Sequence, residues 1–171
     1  MSSKQSDNRN RVTAVCVYAL FCCACLIFGY VESVIPTTLI APGVKLGLSN
    51  SIAILLLINK DIKGAFAVNT ARILLSALLF GSPFSLLFSL TAGVISIIVS
   101  ALSFKIKALS PIGVSIIGAV THNIVQIIIA CFVVSLGCVY YLPILVVSGV
   151  VTGGAIGFLA MLLFEKLKKI L

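Results

Sequence analysis

The stretch ESVIPTTLIAPGVKLGLSN, residues 32–50, interrupts an otherwise apolar sequence and limits how the rest of the chain can be arranged. It contains one carboxylate, one ammonium group, two prolines and two glycines. Pro36 and Pro42 prevent a continuous helix, and the pair Pro42 and Gly43 indicates a turn. If the flanking segments span a membrane, non-helical backbone here is tolerated only against protein or a wet cavity. The stretch is therefore expected to line a protected site.

Composition places the chain among the integral membrane proteins. Of its 171 residues, 61% are hydrophobic and 9% are charged, whereas soluble domains carry about 25% charged residues. At roughly 20 residues per span, a chain of this length accommodates about six transmembrane helices and their loops. We therefore expect an all-α integral membrane protein with a bundle of six transmembrane helices in a single domain, residues 11–171. A disordered cytoplasmic tail, residues 1–10, is expected to precede it.

The six helices are predicted from the apolar runs between charged, proline and glycine residues: 11–31, 46–59, 64–80, 84–104, 111–136 and 144–164. The second run would span only about 21 Å at 1.5 Å per residue. That is less than a hydrocarbon core of roughly 30 Å. The loop between helices 1 and 2 is therefore expected to be partly re-entrant and to complete the outer half of this span.

The formal charge of +8 indicates topology rather than a nucleic-acid partner. If the helices alternate in direction, ten of the twelve basic residues fall on one side of the membrane. They are Lys4, Arg9, Arg11, Lys60, Lys63, Lys105, Lys107, Lys166, Lys168 and Lys169. The positive-inside rule then places both termini in the cytoplasm and residues 32–50 outside.

The sequence does not predict an enzyme, a metal site or a cofactor site. It lacks a glycine-rich phosphate loop joined to lysine and serine or threonine, and no two acidic residues lie close together in sequence. Five of the six cysteines lie within apolar helices, where free cysteine packs as a small hydrophobe. With a single histidine and four scattered acidic residues, metal ligation is not indicated.

Arg72 lies near the middle of the third predicted helix and is the main candidate for binding. A charged side chain at this depth must face a counter-ion, a ligand or water. Glu32 is the one acidic residue that the topology places on the outer side. Either Arg72 pairs with Glu32, or Arg72 and Lys45 together receive an anionic group of a substrate. Both can hold in turn if a ligand displaces the internal partner.

The fifth predicted helix carries the most polar patch within any span, formed by His122, Asn123 and Gln126. A lone histidine in a helix is more often a hydrogen-bonded core residue than a ligand. Three adjacent polar side chains in hydrocarbon nevertheless require partners, which favours a pocket.

Small residues form two further stripes, and both indicate close helix packing. On the fourth helix, packing is favoured over a polar pathway for a row of serines and one glycine: Ser85, Ser89, Gly93, Ser96, Ser100 and Ser103. On the sixth helix, Gly149, Gly153 and Gly157 predict a packing seam inside the bundle or against a partner.

Several of these segments together resemble the bacterial Gx transporter family, which is also labelled heptaprenyl diphosphate synthase component I. The resemblance rests on Glu32 with Pro36, PGVKLGLSN at 42–50, Arg72, GSPFSLLFSLTAG at 81–93 and SIIGAVTHNIVQ at 115–126. It covers nearly the whole chain after residue 10. The six-helix plan is similar to the substrate-binding S components of energy-coupling factor (ECF) transporters.

The resemblance implies a subunit of the bacterial cell membrane that imports a small molecule such as a vitamin or metabolite, and Arg72 and Lys45 indicate that this molecule is anionic. It would work with a membrane coupling protein, the T component, and two ATPase subunits. The small-residue face of the first helix, with Ala19, Cys23 and Ala24, would contact the coupling protein. The residues expected to bind substrate are Glu32, Lys45, Asn50, Arg72, His122, Asn123 and Gln126.

The second family label implies a different role. The chain would then be a non-catalytic membrane accessory subunit of polyprenyl diphosphate synthesis. A basic pocket of Lys45 and Arg72 could equally receive a diphosphate. The sequence leaves both roles open.

Overall fold

The computed structural model describes the backbone of residues 2–34, 50–80 and 83–167, with side chains for 12–31, 50–79 and 86–166. Within these ranges the chain is helical and contains no strand, which confirms the all-α class. The helices are α1 (Ser2–Val34), α2 (Ser51–Ile58), α3 (Ile62–Phe80), α4 (Pro83–Ser103), α5 (Pro111–Val133) and α6 (Leu142–Leu167). A 3₁₀ helix, Leu136–Tyr141, joins α5 to α6.

Among the described residues, five helical segments are long and apolar enough to cross a membrane: Val12–Val31, Ile62–Leu79, Leu86–Ser103, Pro111–Val133 and Leu136–Lys166. The second helix is not among them. The helix α2 has eight residues and is about 12 Å long. It ends one residue before the predicted segment, whose first four residues, 46–49, lie outside the described residues. The re-entrant loop expected before it lies mostly outside the described residues.

The first helix also differs from its predicted bounds. Residues 2–10 are helical, whereas the polar sequence there predicts a disordered tail. This segment contains neither proline nor glycine. Propagating an existing helix is far easier than nucleating one, so the apolar part of α1 can extend into a polar neighbour.

The short helix α2 forms the centre of the bundle. Its residues from Ser51 to Leu57 are all buried, with 0 to 6% of each residue exposed. A helix that is apolar on every side is surrounded either by protein or by lipid, and the burial of α2 shows that protein surrounds it. Accordingly, α2 packs against α3 and α6, and its apolar side chains share a core with Cys25 of α1 and Ile156 of α6.

A tight turn connects α2 to α3 and anchors α1. Lys60 adopts a left-handed conformation with φ of 62°, and Asp61 follows it. Asp61 Oδ1 accepts a hydrogen bond from the backbone N–H of Gly64 at 2.9 Å, which caps the start of α3. The hydroxyl of Tyr18 donates to Asp61 Oδ2 at 2.5 Å. One carboxylate therefore holds both α1 and α3 at this end of the bundle.

The glycine stripe of α6 packs against α5, inside the bundle. A Cβ atom on Gly153 would lie 2.7 Å from the Cα of Ile116, and one on Gly157 would lie 2.8 Å from the Cα of Ile112. Such distances are too short for real carbon atoms, so only glycine permits this approach of the two backbones. Of the two positions that the sequence leaves open for this seam, the structure supports the internal one.

The serine stripe of α4 packs against α5 in the same manner. Ser96 Oγ donates to the carbonyl oxygen of Gly118 at 2.8 Å, and Ser100 lies against the same glycine. Ser100 and Ser103 are both buried. Where its side chains are described, the stripe therefore contributes to helix packing, as the sequence analysis favours.

Candidate functional site

Arg72 lies near the middle of α3 and is held by two asparagine side chains. Its Nε donates a hydrogen bond to Asn69 Oδ1 at 3.0 Å, and a terminal nitrogen donates to Asn50 Oδ1. Asn69 lies three residues earlier on α3, where the helical repeat places it on the same face. Asn50 is the residue that immediately precedes α2. The structure thus brings together two of the predicted site residues, Arg72 and Asn50.

Asn50 occupies the N-cap position of α2 but does not cap that helix with its side chain. Its oxygen instead accepts from Arg72. Because Arg72 lies near mid-length of α3, this bond fixes the start of α2 at a similar depth. The N-terminus of α2 therefore lies beside Arg72, and a helix N-terminus adds positive potential.

The helices α1 and α2 both pack against α3, the helix that carries Arg72. On α1, Cys22 and Cys25 are buried, with 8% and 1% of their surface exposed. The hydrogen bond to Asn50 places Arg72 where the start of α2 meets α3. The two amides are neutral, so their hydrogen bonds orient the guanidinium but contribute no negative charge.

His122 and Gln126 lie on the face of α5 that continues from Gly118, and both are partly buried. Gly118 packs against Ser96 and Ser100 of the antiparallel helix α4. His122 lies one turn after Gly118 on α5. Because α4 runs in the opposite direction, the matching position on α4 is one turn before Ser96, at Gly93, and Gly93 lies against Asn69. His122 is therefore level with the asparagine that holds Arg72.

Asn123 faces a different neighbour. Its Nδ2 donates to the carbonyl oxygen of Leu145 on α6 at 2.7 Å. The same nitrogen lies beside Gly149, at 3.0 Å from the position that a Cβ would take there. The structure therefore places Asn123 in the seam between α5 and α6, away from the α4 side of α5.

Two further residues predicted to bind substrate, Glu32 and Lys45, lie at or beyond the edge of the described residues. Glu32 falls within α1, but its side chain lies outside the described residues, as does the whole of Lys45. Pairing between Glu32 and Arg72 stays a prediction. Of the interface candidates on α1, Ala19 and Cys23 are exposed, whereas Ala24 is partly buried against the core around α2.

A family model described as heptaprenyl diphosphate synthase component I matches residues 21–163. The chain belongs to this family. The match confirms one of the two labels that the sequence motifs indicate. No curated protein and no solved structure matches the chain.

The match to the component I family includes every residue predicted to bind substrate, from Glu32 to Gln126, and two of the three interface candidates. Together with five helices long enough to span a bilayer, it identifies a multi-pass membrane protein of this family. Among the described residues of this component I protein, no group of three histidine, cysteine or acidic side chains is arranged to hold a metal ion.

Asn69 is the site residue that sequence reasoning did not assign. It is 2% exposed and binds Arg72 directly. Its spacing of three residues from Arg72 is the signal that could have identified it, because residues at this spacing are neighbours on a helix.

Proposed function

We propose that the chain is the substrate-binding membrane subunit of an ECF-type importer and that it takes up a small anionic molecule such as a vitamin or metabolite. The observation that carries this proposal is the guanidinium of Arg72, held near mid-depth by Asn50 and Asn69. A charged side chain within a membrane helix costs from about 3 to more than 10 kcal/mol. A charged group that costs this much within the membrane favours a functional role for Arg72, and the role that we propose is binding.

The short helix α2 supports the same proposal. Many transporters place a broken helix near the bilayer midplane, with its N-terminus directed at an anionic group of the substrate. Here α2 is eight residues long and begins beside Arg72, and protein surrounds most of its length. Its positive end and the guanidinium therefore favour the same kind of ligand.

The remaining predicted residues are assigned by analogy. Glu32 and Lys45 would orient or admit the substrate, with Glu32 also able to neutralise Arg72 in its absence. His122 and Gln126 would hydrogen-bond the ligand from α5, and Asn123 would support α5 from its position against α6. Both termini would lie in the bacterial cytoplasm, and Ala19, Cys23 and Ala24 would contact the coupling protein that links this subunit to two ATPases.

The family description favours a second candidate function. As component I of heptaprenyl diphosphate synthase, the chain would be a non-catalytic membrane subunit that binds a synthase partner. Its basic site could then receive the diphosphate group of a prenyl chain. This role shares an anion site with the importer proposal but requires a different protein partner.

Purification of the tagged protein from its native membranes in mild detergent separates the two roles. The importer proposal predicts copurification of a membrane coupling protein and two ATPase subunits, together with a retained small molecule. Copurification of a soluble prenyl synthase without ATPases would contradict it and support the accessory role. A variant with Ala19 and Cys23 changed to leucine should lose the ATPase complex while remaining folded, because bulky side chains prevent close helix approach.

A further inference from the structure

The turn after α2 holds Lys60 in a conformation that glycine adopts more readily. The backbone N–H of Lys60 donates to the carbonyl oxygen of Leu57, and that of Asp61 donates to Leu56, both at 2.9 Å. These two bonds form a Schellman motif, which ends a helix with one left-handed residue, here at position 60. A side chain at that residue crowds the following carbonyl group, so glycine is usual there. A lysine at this position therefore indicates a role for its side chain outside the turn.

The two lysines of this turn, Lys60 and Lys63, are exposed. The carboxylate between them in sequence, that of Asp61, already has a partner for each oxygen. One oxygen accepts from the backbone N–H of Gly64 and the other from the Tyr18 hydroxyl. The lysines therefore add positive charge to the surface of the turn, while Asp61 serves the packing of α1 and α3.

The turn after α4 adds two lysines at the same end of the bundle. Phe104 packs against the core cluster that contains Leu57 from the end of α2 and Ala65 from the start of α3. Lys105 and Lys107, which follow Phe104, are both exposed. Four ammonium groups therefore lie on two neighbouring turns.

Both turns lie directly beside membrane-spanning segments. One of these segments begins at Ile62, and another ends at Ser103. Each turn also carries an exposed isoleucine: Ile62 is 48% exposed and Ile106 is 55% exposed. A bilayer surface accommodates both kinds of side chain, because acyl chains lie next to charged headgroups there. Exposed isoleucines at the edge of the spans therefore favour lipid over an acidic protein as the partner of these lysines.

We propose that the turns 59–63 and 104–107 form a binding surface for the headgroups of anionic phospholipids, and that the charge of Lys60 contributes to it. The two turns contain four lysines and one acidic residue, Asp61. Their charge is therefore complementary to an anionic leaflet. This inference goes beyond the proposed function and does not depend on which substrate the chain binds.

Native mass spectrometry of the full-length protein in mild detergent tests the surface. The protein is mixed with equal amounts of phosphatidylglycerol and phosphatidylcholine that have identical acyl chains. We expect the wild type to bind phosphatidylglycerol preferentially. Lys60→Gly should lower this preference about fivefold, and adding Lys63→Gln should lower it about fivefold again, the usual contribution of a lysine near an anionic surface. Lys60→Arg, which keeps the charge, should retain the preference.

Thermal melting of the same variants separates a lipid role from a role in the fold. Lys60→Gly should melt at or slightly above the wild-type temperature, because glycine adopts a φ of 62° without strain. A lower melting temperature with an unchanged lipid preference would overturn the assignment of Lys60. If the wild type binds the two lipids equally, the proposed surface is wrong. Loss of a copurifying protein from the doubly substituted variant, without any lipid preference in the wild type, would assign these lysines to a protein partner instead.

Discussion

Arg72 places a permanent charge near the middle of α3, and its two asparagine partners come from different parts of the sequence. Asn69 is a neighbour on the same helix, whereas Asn50 precedes α2. Hydrogen bonds to a charged group contribute about 1.5–3 kcal/mol each. Arg72 therefore also fastens the start of α2 to α3, and its replacement affects both binding and stability.

We expect Arg72→Ala to insert and fold. Two hydrogen bonds to a charged group are lost, but the cost of about 3 kcal/mol or more for holding a charge within the membrane is lost with them, so the free energy of unfolding should fall by no more than about 3 kcal/mol. Thermal melting in detergent measures this loss. Glu32→Ala and the double variant are the comparison. If each single change abolishes folding and the double change restores it, the two residues form a structural ion pair, and the ligand-binding account is contradicted.

Asn123 differs from Arg72 in that its amide donates a hydrogen bond to a backbone carbonyl group of α6. Asn123→Ala should lower stability by about 0.6–1 kcal/mol, the usual value of such a bond between membrane helices. The loss stays small because Ser148 Oγ also donates to the carbonyl of Leu145, at 2.9 Å. Melting and ligand retention are measured together. A variant that loses its ligand while melting normally would place Asn123 in the binding site.

At the scale of helices, the α5–α6 seam depends on glycines whose neighbours are backbone atoms. Gly153→Ala would bring a Cβ within 2.7 Å of the Cα of Ile116. Since backbone cannot move aside as a side chain can, we expect a loss of about 1–3 kcal/mol, measured by thermal melting. Gly154→Ala is the matched control, because its nearest neighbour is 3.9 Å away. It should be neutral or stabilising. Equal losses at both positions would contradict the seam.

The helix α1 is attached to the rest of the bundle by a hydrogen bond and by apolar packing. The Tyr18 hydroxyl ties α1 to Asp61, and Cys25 of the same helix faces the core with 1% of its surface exposed. Tyr18→Phe should loosen α1 and increase the rate at which a maleimide labels Cys25, measured by mass spectrometry of peptides. Labelling of the exposed thiol of Cys23 provides the internal control. An unchanged rate at Cys25 would show that apolar packing alone holds α1.

For the molecule as a whole, sequence reasoning predicts α3 to α6 well because charged, proline and glycine residues bound each apolar run. It predicts α2 and its end within one residue, but it does not predict that protein surrounds this helix, since an apolar segment enclosed by protein and one that faces lipid have the same composition. It also misses the helical start of α1. Helix propensity and solvation compete closely in such a polar segment, and composition alone does not decide between them.

The candidate site was only partly predictable for a related reason. Arg72 stands out because a charge interrupts an apolar run, but its bond to Asn50 depends on how α2 and α3 pack. His122 and Asn123 are adjacent in sequence, which suggests one polar patch. Consecutive residues on a helix nevertheless point about 100° apart. Asn123 accordingly binds α6, whereas His122 lies on the face that continues from Gly118.

Native mass spectrometry of the full-length protein, purified from its own membranes as the wild type, Arg72→Lys and Arg72→Ala, shows whether Arg72 binds the substrate. We predict a small anionic molecule retained by the wild type, weakened in Arg72→Lys because an ammonium cannot reproduce the planar set of donors, and absent in Arg72→Ala. Retention of the same molecule at wild-type occupancy in Arg72→Ala would contradict the assignment of Arg72 as the residue that binds substrate.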